Sequence, residues 1–201
     1  LQLVRAPTER PVVSGSAATP APTEDEVRLL TVVCAGLHPV PVEEEDLDQE
    51  AAAATHLLTL ATTACTPYGG QVERVPGGDL LLTFGRAQIH EDDPERALRA
   101  ALTLQATARA AGLPLQIGAN TGMVYCSQGS VPATTSGTDT KPGLVMGAVV
   151  NLAVQLRSRA EVDQLLVGKA TYRATRGSFA ATAMLLTLTG VNTPVTVYHI
   201  H

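Results

Sequence analysis

The sequence predicts an α+β domain, a mainly antiparallel sheet with helices packed on it, and three observations carry that prediction. The stretch from Gly69 to Gly85, GGQVERVPGGDLLLTFG, joins two short apolar runs by Pro-Gly-Gly, and glycine supplies the positive φ that a β-hairpin turn needs. An Ala- and Leu-rich segment on each side of it has helical spacing. Beyond those segments lie β-branched apolar runs, so the order strand, helix, hairpin, helix, strand buries one core with the helices on the sheet. This is a ferredoxin-like βαββαβ core.

Each element follows from its residues. Residues 1–23, rich in Pro, Ala, Ser and Thr without a sustained period, read as a linker, and 24–201 as the folded domain. The chain starts at Leu1, which fits a piece of a longer polypeptide. VRLLTVVCAGL is long and apolar enough for a buried strand. The acids from Glu43 to Asp48 then favour the positive end of a helix dipole, and EAAAATHLLTLATTAC continues that helix until Pro67 and Gly69 stop it. After the hairpin, Asp93 is the expected N-cap of a second helix with Pro94 at its first position, and Gly112 ends it. The run His90, Glu91, Asp92, Asp93 has the composition of a metal site, but an acidic helix start accounts for it more simply. LPLQIGAN reads as a strand and TGMVYCS as its hairpin partner, with Gly118 and Gly122 near the turn. Ser127 to Gly143 is a polar loop of a length that is either functional or disordered, and disorder is expected. An amphipathic helix over VMGAVVNLAVQLRSRAE, a strand QLLVG, a short helix KATYRATRG and a last strand pair complete the chain.

Composition narrows the function. With 201 residues, 45% of them hydrophobic, one sizeable core is expected. No apolar run approaches membrane-spanning length, so no membrane insertion by this segment is expected. A formal net charge of -5 with scattered Lys and Arg speaks against nucleic acid as a partner, which requires a positive field. Cys34, Cys65 and Cys126 lack CxxC spacing, which points to free thiols and a cytoplasmic setting.

With these elements placed, the chain resembles the class III nucleotide cyclase catalytic domain, the adenylate and guanylate cyclase family. The likeness spans about Arg28 to Ile200: TVVCAGL against the family's TVLFADL, GGQVERVPGGDLLLTFG against GGTVDKFIGDAVMALFG, then HEDDPERALRAAL, IGANTG against IGINTG, GAVVNLAVQL against GDAVNLAARL, LLVGKATYRATR and PVTVYHI. No single piece decides it, but so many in one order are specific. The resemblance implies a head-to-tail dimer with sites at the interface, converting ATP or GTP to a cyclic nucleotide and pyrophosphate. It implies two Mg or Mn ions, held by an aspartate at the end of the first strand and another at the hairpin tip. It also implies an asparagine and an arginine on the helix after the long loop, which orient the ribose and stabilise charge on phosphate.

This sequence departs from the family at most of those positions. The two metal aspartates fall on Gly36 and Gly78, which carry no oxygen. Asp79 is the remaining metal candidate; a one-residue shift turns a strand side chain to the opposite face, and a bulge at Pro76-Gly77-Gly78 would re-aim it. Asn151 matches the ribose-orienting asparagine, and reads equally as a polar residue of the helix surface. Gln155, four residues on and so on the same face, stands where the arginine belongs. Arg157 and Arg159 lie on other faces and read as solvated charges. Leu144 takes the purine-selecting position, and Arg74 stands near the purine-contacting lysine.

The expected function is therefore a cyclase-like domain of an intracellular signalling protein, catalytically degenerate, serving regulation or dimerisation, with Mg or Mn needed only if it is active. Two alternatives stand beside it: one half of an active heterodimeric cyclase, and a non-catalytic nucleotide or small-molecule sensor. Expected partners are a second cyclase-type domain, as homodimer or heterodimer, and a nucleotide.

Overall fold

The computed structural model describes residues 26–39, 47–126 and 145–201. The linker assigned to 1–23, the loop from Ser127 to Gly143 and Leu144 lie outside the described residues, as does most of the acidic run before the first helix.

In chain order the elements are β1 (Glu26–Leu37), α1 (Leu47–Cys65), β2 (Gln71–Arg74), β3 (Leu80–Phe84), α2 (Asp93–Ala110), β4 (Leu115–Cys126), β5 (Val145–Met146), α3 (Ala148–Arg159), β6 (Gln164–Val167), α4 (Lys169–Ala174), β7 (Ala181–Leu186) and β8 (Val195–Ile200). The sheet order is β2-β3-β1-β4-β6-β8-β7, with β5 paired to the end of β4. Among these pairings only β4 with β6 is parallel. The predicted α+β class and βαββαβ core are what forms.

Alternation along the strands divides the core in two. Val33 and Ala35 of β1, with Leu80, Leu82 and Phe84 of β3, face α1 and α2 and meet Leu57, Leu98 and Leu104. The intervening Leu30, Val32 and Cys34, with Leu81, face α3 and meet Val149 and Ala153. Cys34 and Cys65 are both free and buried, and burial pushes each thiol up to about 12. None of the helices among the described residues is long and apolar enough to cross a membrane.

Val145 and Met146, read as the start of the third long helix, instead pair with the end of β4 as β5, and α3 begins at Ala148. Two further local expectations change. The segment read as a hairpin around Gly118 and Gly122 is the single twelve-residue strand β4, registered along all of β1. Its glycines serve helix packing instead of a turn. A Cβ at Gly118 would lie 2.2 Å from Ala153 O and 2.3 Å from Arg157 N, and one at Gly122 would lie 2.7 Å from Val149 Cγ2. Two glycines four apart on one strand face thus let the face of α3 carrying Val149, Ala153 and Leu156 lie directly on the sheet.

The second change is at the start of α2, which begins one residue earlier than an Asp93 cap implies. Asp93 is inside the helix and buried; its Oδ2 accepts the backbone N–H of His90 at 2.8 Å, and its Oδ1 lies 3.3 Å from His90 Nδ1. Asp92 and Glu95 bond to Arg96 and Arg99 one turn on.

Candidate functional site

The site begins with a turn. Gly78 N–H bonds Val75 O, placing Pro76 and Gly77 at the central positions, and the φ of +97° at Gly77 is what a type II turn demands of its third residue. Gly78 follows at φ +87°, and Val75 N–H then bonds Asp79 O at 3.0 Å, so the hairpin closes between residues 75 and 79. Gly78, aligned with a metal aspartate, is therefore a left-handed turn residue.

The turn sets the direction of Asp79. Ala35 is registered with Leu80 and Cys34 with Leu81, so Asp79 stands across from Gly36, one residue beyond the last registered pair. Its parity with Leu81 puts it on the α3 face. Asp79 therefore follows the regular alternation of β3, and the ladder shows no bulge that re-aims it.

There Asp79 meets Arg157. Arg157 Nη2 lies 2.8 Å from Asp79 Oδ1 and donates to Leu37 O at 2.7 Å, tying the last turn of α3 to the end of β1. The two side chains are 16% and 18% exposed, which makes this a mostly buried ion pair. Cys34 Sγ points at Asp79 Oδ2 from 3.8 Å. Burial raises the Asp79 carboxyl, while Arg157 and the Cys34 thiol oppose that rise. Arg157 is thus a structural partner and not the solvated charge its spacing implies.

Gly36 is the reason the pair fits. A Cβ there would lie 2.1 Å from Asp79 Oδ1, 2.2 Å from Arg157 Nη2 and 2.6 Å from Arg157 Nε. The volume that an aspartate side chain would enter is filled by the guanidinium and its carboxylate. A pair of divalent cations does not fit these residues: one carboxylate remains, it is already paired, and a fixed positive charge sits beside it. Among the described residues no group of three or more His, Cys, Asp or Glu side chains is placed to hold a metal ion.

The other candidates lie elsewhere. Asn151 and Gln155 share one face of α3, as their spacing predicts, and line a cavity of about 590 Å³ between α3, the start of α4 and β8. Asp79 and Arg157 line a different cavity, of about 550 Å³, with His38, Glu50 and the hairpin glycines. Within one chain the two sets do not converge. Gln155 Oε1 is buried without a hydrogen-bond partner. Arg74 is exposed and leans on α1, with Nη2 3.4 Å from Ala54 O and from Thr55 Oγ1. Sequence reasoning missed Arg157; the available signal was Gly36 itself, because glycine inside a strand marks close approach by another group.

With the geometry in place, the chain can be set beside known proteins. No family model and no curated protein matches it. Solved structures do. The adenylyl cyclase CyaB from P. aeruginosa matches with a TM-score of 0.69 and 22% identity, over 89% of this chain and 96% of that one. The guanylate cyclase domain of RhGC from Catenaria anguillulae, solved in complex with GTP, matches at 0.70 and 17%, over 88% and 98%. A non-canonical dimeric guanylyl cyclase domain of the RhoGC fusion protein from Blastocladiella emersonii matches at 0.71 and 16%, over 87% and 97%. The chain has the fold of the class III adenylyl and guanylyl cyclase catalytic domains.

Proposed function

We propose that this chain is a cyclase-homology domain that has kept the fold and given up metal-dependent turnover, acting as a regulatory or dimerisation module of a cytoplasmic signalling protein. The observation that carries the reading is the Asp79–Arg157 pair packed over Gly36. Metals in such a displacement activate the attacking hydroxyl and clamp the leaving phosphate. A guanidinium fixed by Asp79 and Leu37 O does neither. The neutral Gln155 in place of an arginine removes a second source of charge stabilisation, and such donors are typically worth a few kcal/mol each.

Concentrated protein incubated for hours with ATP or GTP and Mn²⁺ should give no cyclic nucleotide above a protein-free blank. Product that disappears in Asn151→Ala would overturn the reading. The heterodimer-half reading has its own support: Asn151 is exposed on α3, in a cavity separate from Asp79, as expected of a residue completed by a second chain. Synthesis restored by adding a metal-holding cyclase domain, and lost again in Asn151→Ala, would establish that reading instead.

A further inference from the structure

The cavity beside Asn151 has a chemistry of its own. One wall is aliphatic, built by Leu152, Leu188, Val191, Val195 and Val197 from α3, β8 and the segment before it. Val191 remains 39% exposed there. Its volume of about 590 Å³ is that of a small-molecule site, since such sites span roughly 300–1,000 Å³ and pair apolar walls with a few polar groups. Among the described lining residues the only formally charged side chain is Lys169, which is exposed. Beside Asn151 and Thr196, Gln155 supplies a further polar group: Oε1 has no partner, and the last torsion of a glutamine is broad, so a ligand N–H or O–H can draw that oxygen toward itself.

These features define a ligand class. A nucleoside triphosphate carries several negative charges, and Lys169 is the one cationic side chain among the described lining residues to meet them. A neutral apolar molecule leaves Lys169 and Gln155 Oε1 unused. We infer that the cavity between α3 and β8 binds a small amphipathic acid, with its apolar body on the valine and leucine wall, its anionic group at Lys169 and an N–H or O–H donated to Gln155. Such a ligand bridges α3 and β8. The inference rests on the fold and the cavity, and holds whether or not turnover has been lost.

Anilinonaphthalene sulfonate has the three required parts, an apolar ring system, one anionic group and one N–H, and its fluorescence reports burial. Titrated into the full chain it should bind saturably at one site. Lys169→Gln should weaken it at least about threefold, the scale of one exposed charge pair, while uncharged phenylnaphthylamine keeps its affinity. Val191→Asp, which sets a carboxylate on the exposed wall, should weaken the sulfonate about tenfold, near 1.4 kcal/mol. Met123, 59% exposed on β4, controls for general apolar adsorption, and Met123→Ser should change nothing. Absence of saturable binding, indifference to both Lys169→Gln and Val191→Asp, or loss of binding in Met123→Ser overturns the assignment. The product assay reads turnover alone, so either proposal can fail without the other.

Discussion

Arg157→Ala is expected to destabilise the fold by about 2–3 kcal/mol, just below the range for breaking a fully buried ion pair, because both partners keep some contact with water. The loss has two parts. Asp79 is left mostly buried with no cation beside it, and Leu37 O loses the donor that joins β1 to α3. Gly36→Ala should be destabilising for the complementary reason: its methyl occupies the position of the guanidinium, and overpacking of this kind costs about 1–3 kcal/mol. The two changes should not add. Once Arg157 is truncated, the methyl at position 36 displaces only the Asp79 carboxylate, which can turn toward solvent. In urea denaturation the double variant should lose at least about 1 kcal/mol less stability than the sum of the two single losses. Strict additivity would mean that Gly36 is not what admits the pair.

The second large effect is a gain. Gly36→Asp combined with Arg157→Ala puts a carboxylate at the end of β1, across from Asp79, and removes the competing cation from the space between them. Two carboxylates facing each other without a counter-ion repel, and a divalent cation with oxygen ligands relieves that repulsion. Calorimetric titration with Mn²⁺ should show binding in the double variant and none in the parent chain. Gly36→Asp alone should not bind, because Arg157 remains to pair with either acid. Binding by the single variant equal to that of the double would show that Arg157 is no barrier to metal.

Much of the fold was legible because it rests on local signals. The Pro-Gly-Gly turn of the hairpin, Pro94 at the start of α2, Gly112 after it and the long apolar run of β1 each dictate their element without help from the rest of the chain. The exception in β4 is instructive. Gly118 and Gly122 look like turn residues, yet their role is long-range: they are small because Ala153, Arg157 and Val149 of α3 lie on top of them. A turn and a helix footprint leave the same mark in one sequence.

The site was legible in part for the same reason. Gly36 and Gly78 read identically as absent carboxylates, but the structure gives them unlike roles. Gly78 is a left-handed turn residue with nothing near a Cβ, whereas Gly36 has an ordinary backbone and a crowded one. Asn151 and Gln155 were placed together by helical spacing. Arg157, two positions on, lies on another face as its spacing predicts, but that face meets the end of β1 and not water. Which face of a helix is covered is decided by a strand more than a hundred residues away in sequence, and periodicity carries no record of it.

The most direct test of the account is the density above Gly36 in crystals grown with millimolar Mn²⁺, measured with X-rays tuned to the anomalous signal of manganese. The Arg157 guanidinium is expected between Asp79 and Leu37 O, with no anomalous peak. A manganese peak coordinated by Asp79, with Arg157 turned away, would contradict it.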